Sequence, residues 1–133
     1  MLISRECDYA IRIIRALSEG ERLTISQICK KENIPQQYAY KIARKLNNAS
    51  LIQIFRGTEG GCLLNNPISS ISLFDIYAAV EGDLILNECL KEGAECENNR
   101  DEKCRVHKLL IALQGQLATT LQESNMEDVL NGK

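Results

Sequence analysis

The feature that most constrains the fold is a pair of short helical patterns joined by a tight turn and followed by a hairpin pattern. Thr24 opens the first helix, and Gln27 three residues later completes a capping box. This helix ends before Asn33, and Pro35 fits the first turn of the second helix, where its missing N–H costs nothing. The short connection is typical of a helix–turn–helix.

The second helix of the pair has an apolar stripe and an opposite polar face. The stripe consists of Tyr38, Ala39, Ile42, Ala43 and Leu46. The outward positions carry amides, a phenol and three cations, with no acid on the same helix: Gln36, Gln37, Tyr40, Lys41, Arg44, Lys45 and Asn48. Glutamine can bond adenine through two hydrogen bonds, and lysine or arginine can bond guanine or phosphate. The face fits a DNA major groove, although a solvated face on a three-helix core would have the same pattern.

The hairpin that follows favours the DNA-binding interpretation. Residues 51–55 alternate as a strand, residues 56–61 form a glycine-rich turn, and residues 62–65 return as the partner strand. Arg56 stands beside Gly57 and Gly60 at the tip, where one cation on a narrow hairpin suits a minor groove. A helix pair followed by a hairpin predicts a winged helix.

Charge is distributed unevenly along the 133 residues. The net charge is −2, but residues 1–56 hold ten Lys and Arg against five Asp and Glu, whereas residues 57–104 hold three against ten. Only the N-terminal part therefore has the sign that phosphates attract. With no long apolar run and charges close to the start, we expect a cytoplasmic protein with no membrane partner.

Further helices flank this region. The first contains the apolar positions Cys7, Ala10, Ile11, Ile14 and Leu17 and is expected to end near Gly20. Ser72 caps a short helix through Asp75, and Gly82 ends it. Residues 90–103 are acidic and predict a loop.

A long last helix follows this loop. It carries one apolar line that is expected to pair with another surface, made of Val106, Leu110, Leu113, Leu117 and Leu121. Residues 123–133 show little pattern and are expected to fray.

These elements predict a mainly α fold with a small β-hairpin: a winged helix–turn–helix plus a long C-terminal dimerisation helix. The division expected within one compact domain is a DNA-binding region at 1–82, a cysteine-bearing cluster loop at 83–104, and a dimerisation helix with its tail at 105–133.

Cysteines form the second informative pattern. Cys89, Cys96 and Cys104 lie within sixteen residues, and His107, the single histidine, follows one helical turn later. Thiolates are soft ligands for iron–sulfur clusters or zinc, while free redox-active thiols are the alternative interpretation. The other cysteines, Cys7, Cys29 and Cys62, are interpreted as small buried apolar residues.

Several separate segments resemble the IscR/NsrR-type (Rrf) family of bacterial regulators, from Met1 to about Leu121. They are the opening Cys-Asp-Tyr-Ala-Ile-Arg, the stretch Ile-Pro-Gln-Gln-Tyr at 34–38, the wing Arg-Gly-Thr-Glu-Gly-Gly, residues 71–82 and the three clustered cysteines. The resemblance implies a homodimer in which the long helices pair, binding a roughly palindromic double-stranded DNA operator.

The resemblance also implies an iron–sulfur cluster held by Cys89, Cys96 and Cys104. Relatives similar to the cluster-biogenesis regulator use a histidine soon after the third cysteine, which His107 matches, and hold a [2Fe–2S] centre. Nitric-oxide sensors use an aspartate on the first helix of the other subunit and hold a [4Fe–4S] centre, which Asp8 matches. The sequence departs from the family at Cys62, at Glu59 and in a longer second loop between cysteines.

The predicted function is transcriptional regulation, as a repressor whose operator binding is controlled by a cluster sensing redox, nitric oxide or iron–sulfur status. One alternative is a thiol-redox or zinc-containing winged-helix regulator without a cluster. A second alternative is an interaction adaptor that binds no DNA. No pairing of nucleophile and base is visible in the sequence, so we do not expect an enzyme.

Overall fold

The computed structural model describes residues 2–97 and 104–132. Within them, three helices precede one two-stranded antiparallel sheet and three follow it, and short 3-10 turns lie at Ile68–Ser70 and Glu88–Leu90. The main elements in chain order are α1 (Arg5–Ala16), α2 (Ile25–Glu32), α3 (Gln36–Asn48), β1 (Ile52–Phe55), β2 (Gly61–Leu64), α4 (Leu73–Glu81), α5 (Arg105–Glu123) and α6 (Met126–Asn131). No helix in the described residues combines the length and apolar character needed to cross a bilayer. The predicted fold class, a winged helix–turn–helix with a small hairpin and a long C-terminal helix, is confirmed.

The first helix is capped and ends earlier than its sequence suggests. Ser4 caps α1 by accepting a hydrogen bond from the backbone N–H of Cys7. The helix ends at Ala16, because Ser18 and Gly20 donate backbone hydrogen bonds that form a turn instead of a further helical turn. Its apolar face joins the core, and it packs against α2, α3 and α4.

The helix–turn–helix forms at the predicted positions. The capping box of Thr24 and Gln27 is present, with both hydrogen bonds made. Asn33 ends α2 in the left-handed conformation at φ 54°, which asparagine tolerates better than most residues. Pro35 is the N-cap residue of α3, one position before the first helical residue where the sequence analysis expected it. Ala39, Ile42, Ala43 and Leu46 are buried and fix which face of α3 points outward.

The wing is a hairpin that is also joined to the rest of the chain. Ile52 pairs with Leu64 and Phe55 with Gly61, which sets the antiparallel register. Leu23 forms an isolated antiparallel bridge with Cys62: its N–H donates to the Cys62 carbonyl at 3.1 Å, and the Cys62 N–H donates to the Leu23 carbonyl at 2.7 Å. The wing is therefore anchored to the loop before α2, on the same side as the helix–turn–helix.

The C-terminal segment is not frayed, contrary to the expectation for residues 123–133. Met126 is completely buried, and its N–H donates to the Ile71 carbonyl at 2.8 Å. The Leu73 N–H donates to the Ser124 carbonyl at 2.9 Å, and Asn125 caps α6. The six-residue helix is too short to show an apolar period, and its order depends on contacts with the start of α4.

The long helix α5 divides its apolar line between the core and solvent. Leu121 is buried and Leu117 is partly buried against the core. At the other end, Val106 is 63% exposed and Leu113 is 44% exposed, and Leu109 beside them is exposed as well. Within the described chain, an apolar surface therefore remains on the N-terminal half of α5.

We expect Met126→Ala to lower the free energy of unfolding by about 2–5 kcal/mol, because it removes a fully buried side chain and leaves a cavity. Val129→Ala in the same helix is the matched control, since Val129 is largely exposed, and should cost less than about 1 kcal/mol. Urea unfolding followed by circular dichroism measures both. Equal small losses would contradict the packing of α6.

Candidate functional site

The outward face of α3 is as polar in the structure as in the sequence. The amide, phenol and arginine side chains on this face are exposed, namely Gln36, Gln37, Tyr40, Arg44 and Asn48. Tyr38 departs from the prediction that it belongs to the buried stripe: it is 41% exposed. Its ring lies beside that of Tyr9, with centroids 5.9 Å apart and planes tilted by 40°, a separation at which aromatic rings interact. The hydroxyl-bearing side chain therefore extends the polar face toward α1.

Two of the three cations on α3 are paired with an acid from another helix. Glu6, in the first turn of α1, accepts from Lys41 Nζ at 2.7 Å through one carboxylate oxygen and from Lys45 Nζ at 3.0 Å through the other. The hydrogen bonds from these lysines hold the pKa of Glu6 below its usual range, and Glu6 in turn raises the pKa of Lys41. Lys45 Nζ also lies 3.4 Å from the Val80 carbonyl. We call this arrangement the Glu6 clasp.

A groove of about 730 Å³ separates α3 from the wing. Tyr40 and Arg44 line it from α3, and Phe55 and Arg56 line it from the hairpin. Among the residues that the structure describes, neither arginine forms an ion pair. Two arginines, one from α3 and one from the hairpin, therefore give the groove the positive charge that a polyanion attracts.

The glycines of the wing have a structural role. Gly57 has φ +93°, which side chains rarely adopt. A Cβ at Gly60 would lie 2.9 Å from the Gly57 carbonyl oxygen, where the Gly60 N–H donates its turn hydrogen bond. Both positions therefore require glycine for the turn that presents Arg56.

Arg22 supports the wing and was missed by the sequence analysis. Its guanidinium lies over the Phe55 ring, 3.9 Å from the centroid, and donates to the Glu59 carbonyl at 2.9 Å. Its side chain also approaches Gly61. No sequence signal distinguishes it, because its partners are on a hairpin more than thirty residues away.

The three clustered cysteines and His107 line one open cleft of about 660 Å³. Cys89 lies on the 3-10 turn before the loop, Cys96 on the loop itself, and Cys104 is the N-cap residue of α5. Cys89 Sγ is 3.4 Å from His107 Nδ1, and Cys104 Sγ accepts from the His107 backbone N–H at 3.4 Å. All four side chains are partly buried. Residues 98–103 of the predicted loop lie outside the described residues.

The donor set fits a soft metal centre by its chemistry, since it offers three free thiols and an imidazole. As placed, no three His, Cys, Asp or Glu side chains of the described ranges are close enough together to hold a metal ion. Holding a metal centre would therefore require the thiols of the loop to move closer to one another. Asp8, the alternative fourth ligand, does not line this cleft in its own chain and pairs with Arg12 at 2.9 Å.

The remaining cysteines belong to the core side of the structure. Cys7 and Cys62 are fully buried, and Cys29 is partly buried. Burial, with smaller effects from the Glu81 and Asp8 carboxylates, raises the pKa of the Cys7 thiol to about 11. Burial also raises the pKa of Cys62 and Cys29. These thiols are protonated near neutral pH and are poor ligands.

Comparisons with known proteins agree with this architecture. Residues 3–132 match the Rrf2 family, described as "Iron-dependent Transcriptional regulator". The chain is 26% identical over 139 residues to the HTH-type transcriptional regulator NsrR of Oceanobacillus iheyensis, covering 100% of this chain and 92% of that relative. The structure of CymR, the global cysteine regulator of B. subtilis, matches with TM-score 0.75 and 24% identity over 98% of this chain and 97% of that one. T. potens IscR matches with TM-score 0.71 and 18% identity over 97% and 85%.

We expect Arg22→Ala to speed amide hydrogen exchange about tenfold at residues 59–61, because a cation–π contact and a hydrogen bond to the turn are both lost. Arg56→Ala is the matched control in the same hairpin, and exchange there should stay within about twofold. Mass spectrometry of exchanged peptides gives the rates. Unchanged exchange in Arg22→Ala would contradict the supporting role.

Proposed function

Since the chain belongs to the Rrf2 family of transcriptional regulators, we propose that it is a homodimeric repressor whose operator affinity is controlled through its cysteine cleft. The match to transcriptional regulators supports DNA binding. The single observation that carries the proposal is the groove flanked by the polar face of α3 and by Arg56 of the wing. A DNA regulator of this kind is expected to work in the cytoplasm and to carry out no catalysis.

In this proposal, α3 enters the major groove and the wing follows the adjacent minor groove. The exposed amides at Gln36 and Gln37 and the guanidinium of Arg44 have the donors and acceptors that base edges recognise. Arg56, held out by the glycine turn, provides the cation for a narrow minor groove. Tyr38, Tyr40, Lys41 and Lys45 complete the proposed contact surface.

Dimerisation is supported by the exposed apolar side chains of α5. Val106, Leu109 and Leu113 recur at spacings of three and four and face away from their own core. Such a line on a long helix is typical of helix pairing. Two copies joined there would present two copies of α3 to a roughly palindromic operator. In this proposal, residues 1–82 bind DNA, residues 83–104 carry the cysteine loop, and residues 105–133 form the dimerisation helix and its tail.

We expect Arg44→Ala to weaken binding to a duplex selected by the protein from a random-sequence pool by about 5- to 100-fold, because it removes a base or phosphate contact. Arg56→Ala should weaken it as well and lower the salt dependence. Arg15→Ala, which removes an arginine that pairs with Glu32 outside the groove, is the control and should change the dissociation constant less than about twofold. Fluorescence anisotropy measures all three. If wild-type protein selects no duplex, an interaction adaptor becomes the better explanation.

For the cysteine cleft, we propose that Cys89, Cys96 and Cys104 bind an iron–sulfur cluster. When bound, the cluster supplies a redox- and nitric-oxide-sensitive centre. His107 is the better supported fourth ligand, because it lines the same cleft and already contacts Cys89. Its alternative is Asp8 of the partner subunit. A [2Fe–2S] centre goes with His107 and a [4Fe–4S] centre with Asp8.

The cleft has a packed route to the DNA face. Cys104 caps α5, α5 packs against α4, and α4 packs against α3. A change in how the loop thiols are held can therefore alter the position of α5 and, through α4, the spacing of the two copies of α3.

We expect protein purified without oxygen to be coloured, with iron and acid-labile sulfide in equal amounts, and Cys96→Ala to lose most of both because one ligand is removed. Cys29→Ala, which changes a thiol outside the cleft, should keep the colour and the iron content. Visible absorption and iron and sulfide analysis give the result. Colourless, iron-free protein after attempted reconstitution would overturn the cluster proposal.

A zinc or thiol-redox regulator is the second candidate, and the contact between Cys89 and His107 favours it. An imidazole 3.4 Å from a thiol sulfur can hydrogen-bond to it, as in other reactive cysteine sites. In that case, iron would be absent, and either bound zinc or oxidation of the thiols would change DNA affinity.

A further inference from the structure

We propose that Glu6 is an internal competitor for DNA phosphate, which occupies Lys41 and Lys45 and limits sequence-independent binding. The inference rests on the proposed DNA-binding face of α3. It adds a residue of α1 that sets how strongly this face binds DNA of any sequence.

The Glu6 clasp uses the same donors that a DNA phosphate would use, the ammonium groups of Lys41 and Lys45. Each carboxylate oxygen accepts from a different lysine, at 2.7 Å and 3.0 Å, so both oxygens are used. These are the distances of charge-assisted hydrogen bonds. The Glu6 carboxylate, which bridges two lysines of α3, therefore occupies the position that a DNA backbone phosphate would otherwise take.

The lysines remain reachable from outside. The Lys41 side chain is 59% exposed and that of Lys45 is 34% exposed while both are paired with Glu6. A phosphate arriving from solvent can therefore replace the carboxylate without any opening of the core. The exchange is a competition between two anions for the same two ammonium groups.

The backbone of Glu6 is fixed by its position in α1. It belongs to the first turn of α1, which Ser4 caps, and its neighbour Cys7 is completely buried in the core. An acid in a first helical turn is also favoured by the helix dipole. Because α1 and α3 pack against each other, the carboxylate is presented to the lysines without the entropy cost of ordering a loop.

The competition affects random and selected DNA differently. On random-sequence DNA, the protein can shift its register until freed lysines reach phosphates, so loss of Glu6 gives the full gain. On a selected operator, base contacts fix the register, and freed lysines gain only what that register allows. Glu6 therefore raises the ratio of specific to non-specific affinity.

The test is Glu6→Gln, which keeps the side-chain shape and removes the charge. We expect binding to a random-sequence duplex to tighten about tenfold and its salt slope to steepen by about one to two, as two additional phosphate contacts would give. Binding to the selected operator should tighten less than about threefold. Fluorescence anisotropy across a salt titration gives these values, and thermal unfolding checks that the variant folds.

Two further variants separate the clasp from a general charge effect. In a Lys41→Met, Lys45→Met background, Glu6→Gln should change random-DNA affinity less than about twofold, because no cations remain to be freed. Glu21→Gln, which removes an exposed acid outside the clasp, should also have less than about a twofold effect.

The outcomes distinguish this inference from the proposed function. If Glu6→Gln combined with Lys41→Met and Lys45→Met binds DNA as tightly as Glu6→Gln alone, the proposed use of these lysines on DNA is wrong. Glu6 is not a competitor if the lysines contribute to binding but Glu6→Gln leaves the affinity for random DNA unchanged. The same conclusion follows if Glu6→Gln tightens random-DNA binding equally in the Lys41→Met, Lys45→Met background.

Discussion

The packing of α1 against α3 is the contact on which the other features depend. Cys7 and Ala10 on α1 and Ala39 and Ala43 on α3 are all completely buried. Small side chains allow helices to approach closely. Once the apolar face of α3 is fixed in this way, its polar face has to point outward. The same packing carries the first turn of α1, with Glu6, to the side of α3.

The electrostatics of the polar face of α3 follow from this arrangement. The net charge of −2 hides an uneven distribution, because most of the cations lie in the N-terminal region. Within that region, the structure divides the cations again: Lys41 and Lys45 are paired with Glu6, whereas Arg44 lines the groove in front of the wing. Charge at a recognition surface is thus set by pairing as well as by composition.

The cysteine cleft lies at the start of α5, which packs against α4, and α4 packs against α3. Its thiols come from a short turn, a loop and the start of α5, and α5 continues into the core only at its C-terminal end. The exposed half of α5 therefore combines a soft donor set at its root with an apolar line beside it. The proposed regulation depends on these two features lying on one helix.

The sequence by itself determined the local elements and the family. Capping boxes, the helix end before Asn33, helical periodicity and the glycine turn are short-range signals, and the structure confirms the helix–turn–helix and hairpin they predicted. The resemblance to the IscR/NsrR-type family is confirmed by the match over residues 3–132. The grouping of Cys89, Cys96 and Cys104 along one cleft also followed from their proximity in sequence.

Only the tertiary structure decided which distant side chains meet. The order of the last helix depends on Met126 reaching Ile71, the wing depends on Arg22 reaching Phe55, and Glu6 reaches lysines on another helix. Such contacts are set by how whole elements pack, so the sequence around each residue contains no signal for them. The physical reason is that caps and periods are determined within one or two turns of backbone, whereas these pairings are determined by the shared core.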